Sequence, residues 1–292
     1  MARERTQTMR VKLRLYWSLV KGLQTGLLLA TGLAGYMSAR CPVLSWPTLI
    51  GLMGSLFLAI GGSTIINMWY DRDIDAKMDR ACRRPLPSGK IKANEALVVG
   101  LVIAFIGVLW AVALDPLFGT IVLAGLFFDV VIYTIWLKRR TAWSIVFGGV
   151  AGGMPVLAGR ALGLGAVDWI GIVLAMAVLF WIPTHILTYS MRYFDDYQRA
   201  GLPTFPSTYG FRTTRKVISL SSILAGVCMV VATVGIGMES GYLRLLGVLS
   251  AGLLLMALGT LVRPSDRLNF GLFKYASFYM LGAMLVVVLG VL

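Results

Sequence analysis

The sequence predicts an all-α fold, a single polytopic membrane bundle of about nine transmembrane helices. Three observations carry this expectation. The 292 residues are 58% hydrophobic and only 14% charged, with a mean hydropathy of +0.81; a soluble domain is usually nearer a quarter charged. Apolar runs repeatedly exceed the length of about 18 residues that crosses roughly 30 Å of hydrocarbon. Stretches such as 97–110 and 245–261 also lack the recurrent polar face that a soluble helical core would need.

The elements follow in order. A basic arm, 1–21, is expected to stay in the cytoplasm, with no cleavage site in the run after it. The nine apolar runs are 22–39, 46–69, 95–114, 117–136, 142–161, 166–190, 217–237, 242–262 and 272–291. Only Asp115-Pro116 separates the third run from the fourth, and Gly163–Gly165 the fifth from the sixth, so these pairs must be antiparallel neighbours. No linker marks a second domain, and residues 1–292 read as one.

A net charge of +14 would suit a nucleic-acid partner, but the cations lie in short segments between apolar runs. With the N-terminus inside, 24 of the 27 Lys and Arg fall on the cytoplasmic side, leaving Arg40, Arg160 and Arg244 opposite. That asymmetry predicts an integral protein of the cell membrane, its polar loops facing the cytoplasm. Cys41, Cys82 and Cys228 show no CxxC spacing or disulfide framework and read as inert.

The chemistry concentrates after the second run. Asn67, Asp71 and Asp75 recur every four residues, so a helix continued past the membrane boundary stacks them on one face, with Asp73 and Asp79 off it. Three such oxygen donors suit Mg²⁺, which prefers carboxylates, water and substrate phosphates. Lys77, Arg80, Arg83, Arg84 and Lys90 follow at once, cations fit to grip a diphosphate. Pro85–Gly89 then turns the chain back toward the third run.

A second acidic cluster follows the sixth run. Adjacent Asp195 and Asp196 diverge by about 100° on a helix. Tyr189, Tyr193 and Tyr197 make another i, i+4, i+8 stripe, and Gly201, Pro203 and Pro206 are expected to end the helix. Two acidic helix ends on one face of a bundle suit a metal-bound diphosphate held between them. Lys138, Arg139 and Arg140, after the fourth run, would clamp the leaving group, and Lys21 is a further phosphate candidate. His185 and Asp129 are polar groups inside spans and therefore candidates in their own right, while Arg160 is expected to be a bystander on the opposite face. Such a site suggests ionisation of an allylic diphosphate, its cation shielded by aromatic faces and an apolar bundle.

Asn67-xxx-Asp71-xxx-Asp75, nine apolar runs and the second acidic loop resemble the UbiA superfamily of intramembrane prenyltransferases, over roughly 15–290. "DRDIDAKMDRACRRPLPSGKI", "YFDDYQRAGLPTFP" and "IYTIWLKRRTAWSIVFGGVAGGMPVLAG" look most like its branch that farnesylates protohaem IX. The resemblance implies transfer of farnesyl from farnesyl diphosphate to the haem B 2-vinyl group, with addition of water, giving haem O. Asn67, Asp71 and Asp75 would hold Mg²⁺–diphosphate and Asp195 and Asp196 complete the site, with Lys138 and Arg139 or Arg140 at the family's basic position. The branch's usual Pro-Pro-His-Phe-Trp stands here as Pro183-Thr184-His185-Ile186-Leu187. The rival readings are a UbiA-type enzyme acting on a quinone precursor, a chlorophyll-like compound or a lipid, and, from another class, a transporter. Transporters hold their acids near the bilayer midplane, whereas these cluster at its surface.

Overall fold

The computed structural model describes residues 2–40 and 45–292, with side chains from Arg10 onward; Cys41 lies outside them. Helices α1 (Ala2–Leu19), α2 (Gly22–Met37), α3 (Trp46–Tyr70) and the short α4 (Arg72–Asp75) come first. Then follow α5 (Ala93–Leu114), α6 (Pro116–Phe127), which continues as a π-helix over Phe128–Leu137, α7 (Ser144–Leu164) and α8 (Trp169–Arg192). The short α9 (Phe194–Arg199), α10 (Phe205–Ile236), α11 (Ser240–Val262) and α12 (Asp266–Leu289) complete the chain. No strand occurs among the described residues.

Eight of these helices are long and apolar enough to cross a membrane. The ninth expected span, α2, has 16 residues, about 24 Å at 1.5 Å per residue. The boundaries follow local chemistry. Asp115, Asp168, Thr204 and Ser265 cap the N-termini of α6, α8, α10 and α12 with side-chain oxygens. One expectation is corrected here. Pro206 does not end a helix but sits in the first turn of α10, where its missing N–H is harmless, and Gly210 (φ 77°) kinks that helix instead. The basic arm is a helix, and α12 begins at its Ser265 cap, several residues before its apolar run.

Helix α5 shows how the bundle packs. Ala96, Gly100, Ala104, Gly107 and Ala111 face inward, while Val98, Leu101, Val102, Phe105, Ile106 and Leu109 are exposed. Small residues inside and large apolar ones outside reverse the soluble pattern and suit close helix approach with a lipid-facing surface. A Cβ on Gly107 would lie 2.4 Å from the Ala59 backbone nitrogen, so α3 and α5 touch backbone to backbone. The same holds between α2 and α7, where a Cβ on Gly159 would meet the Gly32 carbonyl at 2.0 Å. Contacts run from helix to helix around the bundle in chain order, and α12 closes on α2.

At one end a staple holds the bundle. Buried Arg160 donates from Nε and Nη2 to the two carboxylate oxygens of Asp168 at 2.7 and 2.8 Å, and from Nη1 to the Ser38 carbonyl at 2.6 Å. Asp168, held below the usual carboxylate range by Arg160, is also the cap of α8. Arg160 therefore ties α7 to the ends of α2 and α8, and is no bystander to the fold.

Candidate functional site

The other end carries the charge. Helix α3 bends at Asp71 (φ −85°, ψ 0°), but its hydrogen bonding survives the bend. Asp71 N–H donates to the Asn67 carbonyl at 2.9 Å and Asp75 N–H to the Asp71 carbonyl at 2.8 Å. The expected i, i+4, i+8 register is thus kept, and Asp71 and Asp75 are buried. The second stripe is built alike. Tyr193 breaks α8 from α9, yet its N–H reaches the Tyr189 carbonyl at 3.1 Å, and Tyr197 N–H reaches that of Tyr193 at 3.2 Å.

Arg80 joins the two stripes. Its guanidinium lies 4.9, 5.1 and 4.9 Å from the ring centroids of Tyr189, Tyr193 and Tyr197. Nη1 donates to the Tyr189 hydroxyl at 2.8 Å, while Nε faces Asp196 Oδ2 at 3.5 Å, an ion pair too long for a hydrogen bond. Asp196 Oδ1 accepts from the Asp79 N–H at 3.2 Å and from Arg199 at 2.6 Å. Beneath these contacts Ile74, Met78 and Ala81 pack against Ala200 and Leu202, so the two loops share an apolar floor.

The π-helix supplies the third side. Its hydrogen bonds run five residues back, and Lys138 N–H reaches the Tyr133 carbonyl at 2.8 Å. Lys138 Nζ donates to Asp71 Oδ2. Burial works against the Lys138 charge, but Tyr133 and Asp71 outweigh it and raise its pKa. Thr134 Oγ1 donates to the Asp129 carbonyl at 2.7 Å, and Asn67 Nδ2 lies 2.8 Å from the same oxygen. With its one proton used, Thr134 can only accept from Asn67, which fixes the Asn67 amide with Oδ1 on the other side. Asp129 accepts from Ser63 Oγ, which ties the π-helix to the middle of α3.

Arg84 pairs with Asp75 Oδ2 at 2.8 Å. Lys21 stands at the α1–α2 junction with a left-handed backbone (φ 51°). Burial, then the nearby charges of Lys138 and Arg84, push its pKa down to about 8, against the pull of Asp75 and Asp71. Asn67, Asp71, Asp75, Lys138, Arg84 and Lys21 therefore form one group, which Arg80 links to Asp196 and Tyr193.

Other candidates are engaged elsewhere. Arg139 makes a bidentate pair with Asp73 at 2.8 and 2.6 Å and stacks over Tyr70, so it is no free clamp. Lys77, Arg140 and Asp195 are exposed. His185 lies farther along α8, stacked between Trp181 and Phe273 at 5.0 and 4.6 Å, with Nδ1 3.1 Å from Ser277 Oγ. Of the five oxygen-bearing metal candidates, no three carboxylates come together: among the described residues no three His, Cys, Asp or Glu side chains could hold one ion. Asp71 Oδ1, buried without a hydrogen-bond partner, is nevertheless the orphan atom a cation would satisfy. Together with Asn67 Oδ1 it fits a Mg²⁺ that draws its remaining ligands from water and substrate phosphate. The sequence carries no sign of Thr134 and shows Arg80 only as one cation among several, because only the π-turn and the folded loop bring them to these places.

Fold and site together define an integral membrane helical bundle with a charged, cation-rich mouth at one end. The sequence model of the UbiA prenyltransferase family matches residues 28–286, and the chain belongs to that family. It is an integral membrane prenyltransferase. The protoheme IX farnesyltransferase of Pyrobaculum islandicum is 37% identical over 263 residues, covering 90% of this chain and 94% of that protein. That of Archaeoglobus fulgidus is 41% identical over 229 residues, covering 77% and 80%. A solved digeranylgeranylglyceryl phosphate synthase superposes with a TM-score of 0.79 at 19% identity over 96% of this chain and 98% of its own. A UbiA homolog from Archaeoglobus fulgidus bound to GPP and Mg²⁺ gives 0.70 at 18% identity, over 94% and 99%. At such identities these two likenesses speak to the fold.

Proposed function

We propose that this enzyme transfers farnesyl from farnesyl diphosphate to a vinyl group of haem B, with water entering as hydroxide, to give haem O and diphosphate. The observation that carries this reading is the identity of 37–41%, across most of the chain, to proteins named protoheme IX farnesyltransferase. The geometry supplies the chemistry. Bound Mg²⁺ would neutralise diphosphate oxygens and so ease departure of the leaving group. Asn67 Oδ1 and Asp71 would hold the ion, its remaining ligands being water and diphosphate oxygens, while Asp75 and Asp196 hold Arg84 and Arg80 beside it. Lys138, Lys21 and Arg84 are aimed at the charge that develops on the diphosphate as the allylic C–O bond breaks.

Arg80, seated in its three tyrosines, keeps the facing loops at fixed separation. The apolar inner walls exclude bulk water from the allylic cation until the vinyl carbon attacks it. The mouth is assigned to the cytoplasmic side, with the N-terminus inside, on the Lys and Arg asymmetry. Purified protein given haem B, farnesyl diphosphate and Mg²⁺ should form a product heavier by one farnesyl and one hydroxyl group in the mass spectrum. Asp71→Asn and Asp75→Asn should abolish it while the protein stays folded in the membrane. Absence of haem O with the wild-type enzyme, and turnover of a phenolic or lipid acceptor instead, would overturn the assignment.

A further inference from the structure

A cavity of about 470 Å³ opens beside the acidic stripe, under α1. Leu15, Met68 and Pro85 give it an apolar wall, and Ser18 and five cations line the rest: Lys21, Arg80, Arg83, Arg84 and Lys90. No Asp or Glu lines it. Two of the five are engaged, Arg84 by Asp75 and Arg80 by its tyrosines and Asp196. Lys21 belongs with the diphosphate group, in the field of Asp75 and Asp71. Arg83 and Lys90, expected from the sequence to grip the diphosphate, form no ion pair among the described residues and stand exposed at the rim instead. A half-apolar hollow with unpaired cations at its edge is the counterpart of an amphiphilic anion.

We propose that this cavity seats the two carboxylates of the porphyrin acceptor, with Arg83 and Lys90 as their principal partners; the proposal rests on the haem reading above. The diphosphate belongs next door, because its metal would rest on Asn67 and Asp71, neither of which lines the cavity. Arg84 forms the shared wall, paired with Asp75 on one side and facing the cavity on the other. Haem B carries its propionates on the edge opposite the vinyl groups. Carboxylates held at the polar rim therefore point the vinyl edge inward, toward the buried isoprenoid. The seat fixes which edge of the ring meets the cation, and it favours acceptors that carry carboxylates.

The test is haem B binding to the full-length protein in nanodiscs, followed by the Soret band without metal or farnesyl diphosphate. Haem B dimethyl ester, which keeps the ring and loses both charges, is the second probe. Wild type should bind the ester about tenfold more weakly than haem B, the scale of one or two charge-assisted hydrogen bonds. Arg83→Gln/Lys90→Gln should weaken haem B by a similar factor and bind the ester as wild type does. Its KM for farnesyl diphosphate should be unchanged, which also reports an intact fold. Equal binding of haem B and ester by wild type overturns the seat, as does a double variant whose KM rises for farnesyl diphosphate instead. A wild-type enzyme that makes no haem O overturns the parent reading with it; haem O formation with an unchanged ester response overturns the seat alone.

Discussion

Thr134 accepts a hydrogen bond from Asn67 Nδ2 at 2.8 Å because its own hydroxyl proton is used on the Asp129 carbonyl five residues back. The π-turn makes that second bond and thereby decides which atom of Asn67 faces the acidic stripe. Thr134→Val should remove the acceptor, release the amide to turn, and raise the Mg²⁺ concentration for half-maximal activity about tenfold or more, as loss of an orienting partner does. Thr134→Ser should restore it. Mn²⁺ binding followed by electron spin resonance without substrate gives an independent readout. Equal metal affinity in all three proteins would falsify the orienting role.

Arg80 has a different task, and its replacement should show a different signature. Three tyrosine faces and one carboxylate surround a planar guanidinium, which a lysine ammonium cannot reproduce. Arg80→Lys should therefore lose nearly as much turnover as Arg80→Ala, on the order of a hundredfold for two or three lost contacts of about 1 kcal/mol each. Turnover of Arg80→Lys within a few-fold of wild type would mean that charge alone suffices there.

The contrast between these residues shows what the sequence made legible. Helices and spans follow from apolar run length, and the stripes Asn67-Asp71-Asp75 and Tyr189-Tyr193-Tyr197 from simple i+4 spacing, because backbone hydrogen bonds carry that spacing across both bends. Arg80 was one cation among several, since its place depends on the packing of Met78 and Ala81 against the facing loop. Arg139, adjacent to Lys138, looked equivalent to it until Asp73, off the stripe, turned out to take it. Thr134 carried no signal, because apolar period does not distinguish a π-turn from an α-turn.

Lys21 gives the site a dependence on pH. Its folded pKa is about 8 against an ordinary 10.5, lowered by burial, Lys138 and Arg84. Between those values the unfolded chain holds the extra proton, so the Lys21 contribution to stability rises with pH across that window. Anion binding moves the other way, since only the ammonium attracts phosphate. Affinity for inorganic diphosphate should fall as pH passes about 8, and Lys21→Arg should bind equally well above it. A profile flat to about pH 10 in both proteins would remove Lys21 from the anion site.

The Arg160–Asp168 pair turns a residue expected to be silent into a test of the bundle itself. Arg160 is buried, and its guanidinium answers two carboxylate oxygens and the Ser38 carbonyl. Arg160 is the buried member and Asp168 is partly exposed, so removing the Asp168 charge strands a buried cation, a loss of about 3–5 kcal/mol. Removing Arg160 leaves a carboxylate that water reaches, and removing both leaves no charge. Asp168→Asn, although it keeps a capping oxygen for α8, should lower the thermal midpoint in nanodiscs sharply, and Arg160→Ala clearly but less so. The double variant should lose less than the sum of the two, a coupling of about 1–3 kcal/mol. Where Arg160→Ala is kept folded at low temperature, its KM for farnesyl diphosphate should match wild type, since the staple lies at the opposite end from Asp71 and Lys138. A raised KM with an unchanged thermal midpoint would place Arg160 in the site rather than in the frame.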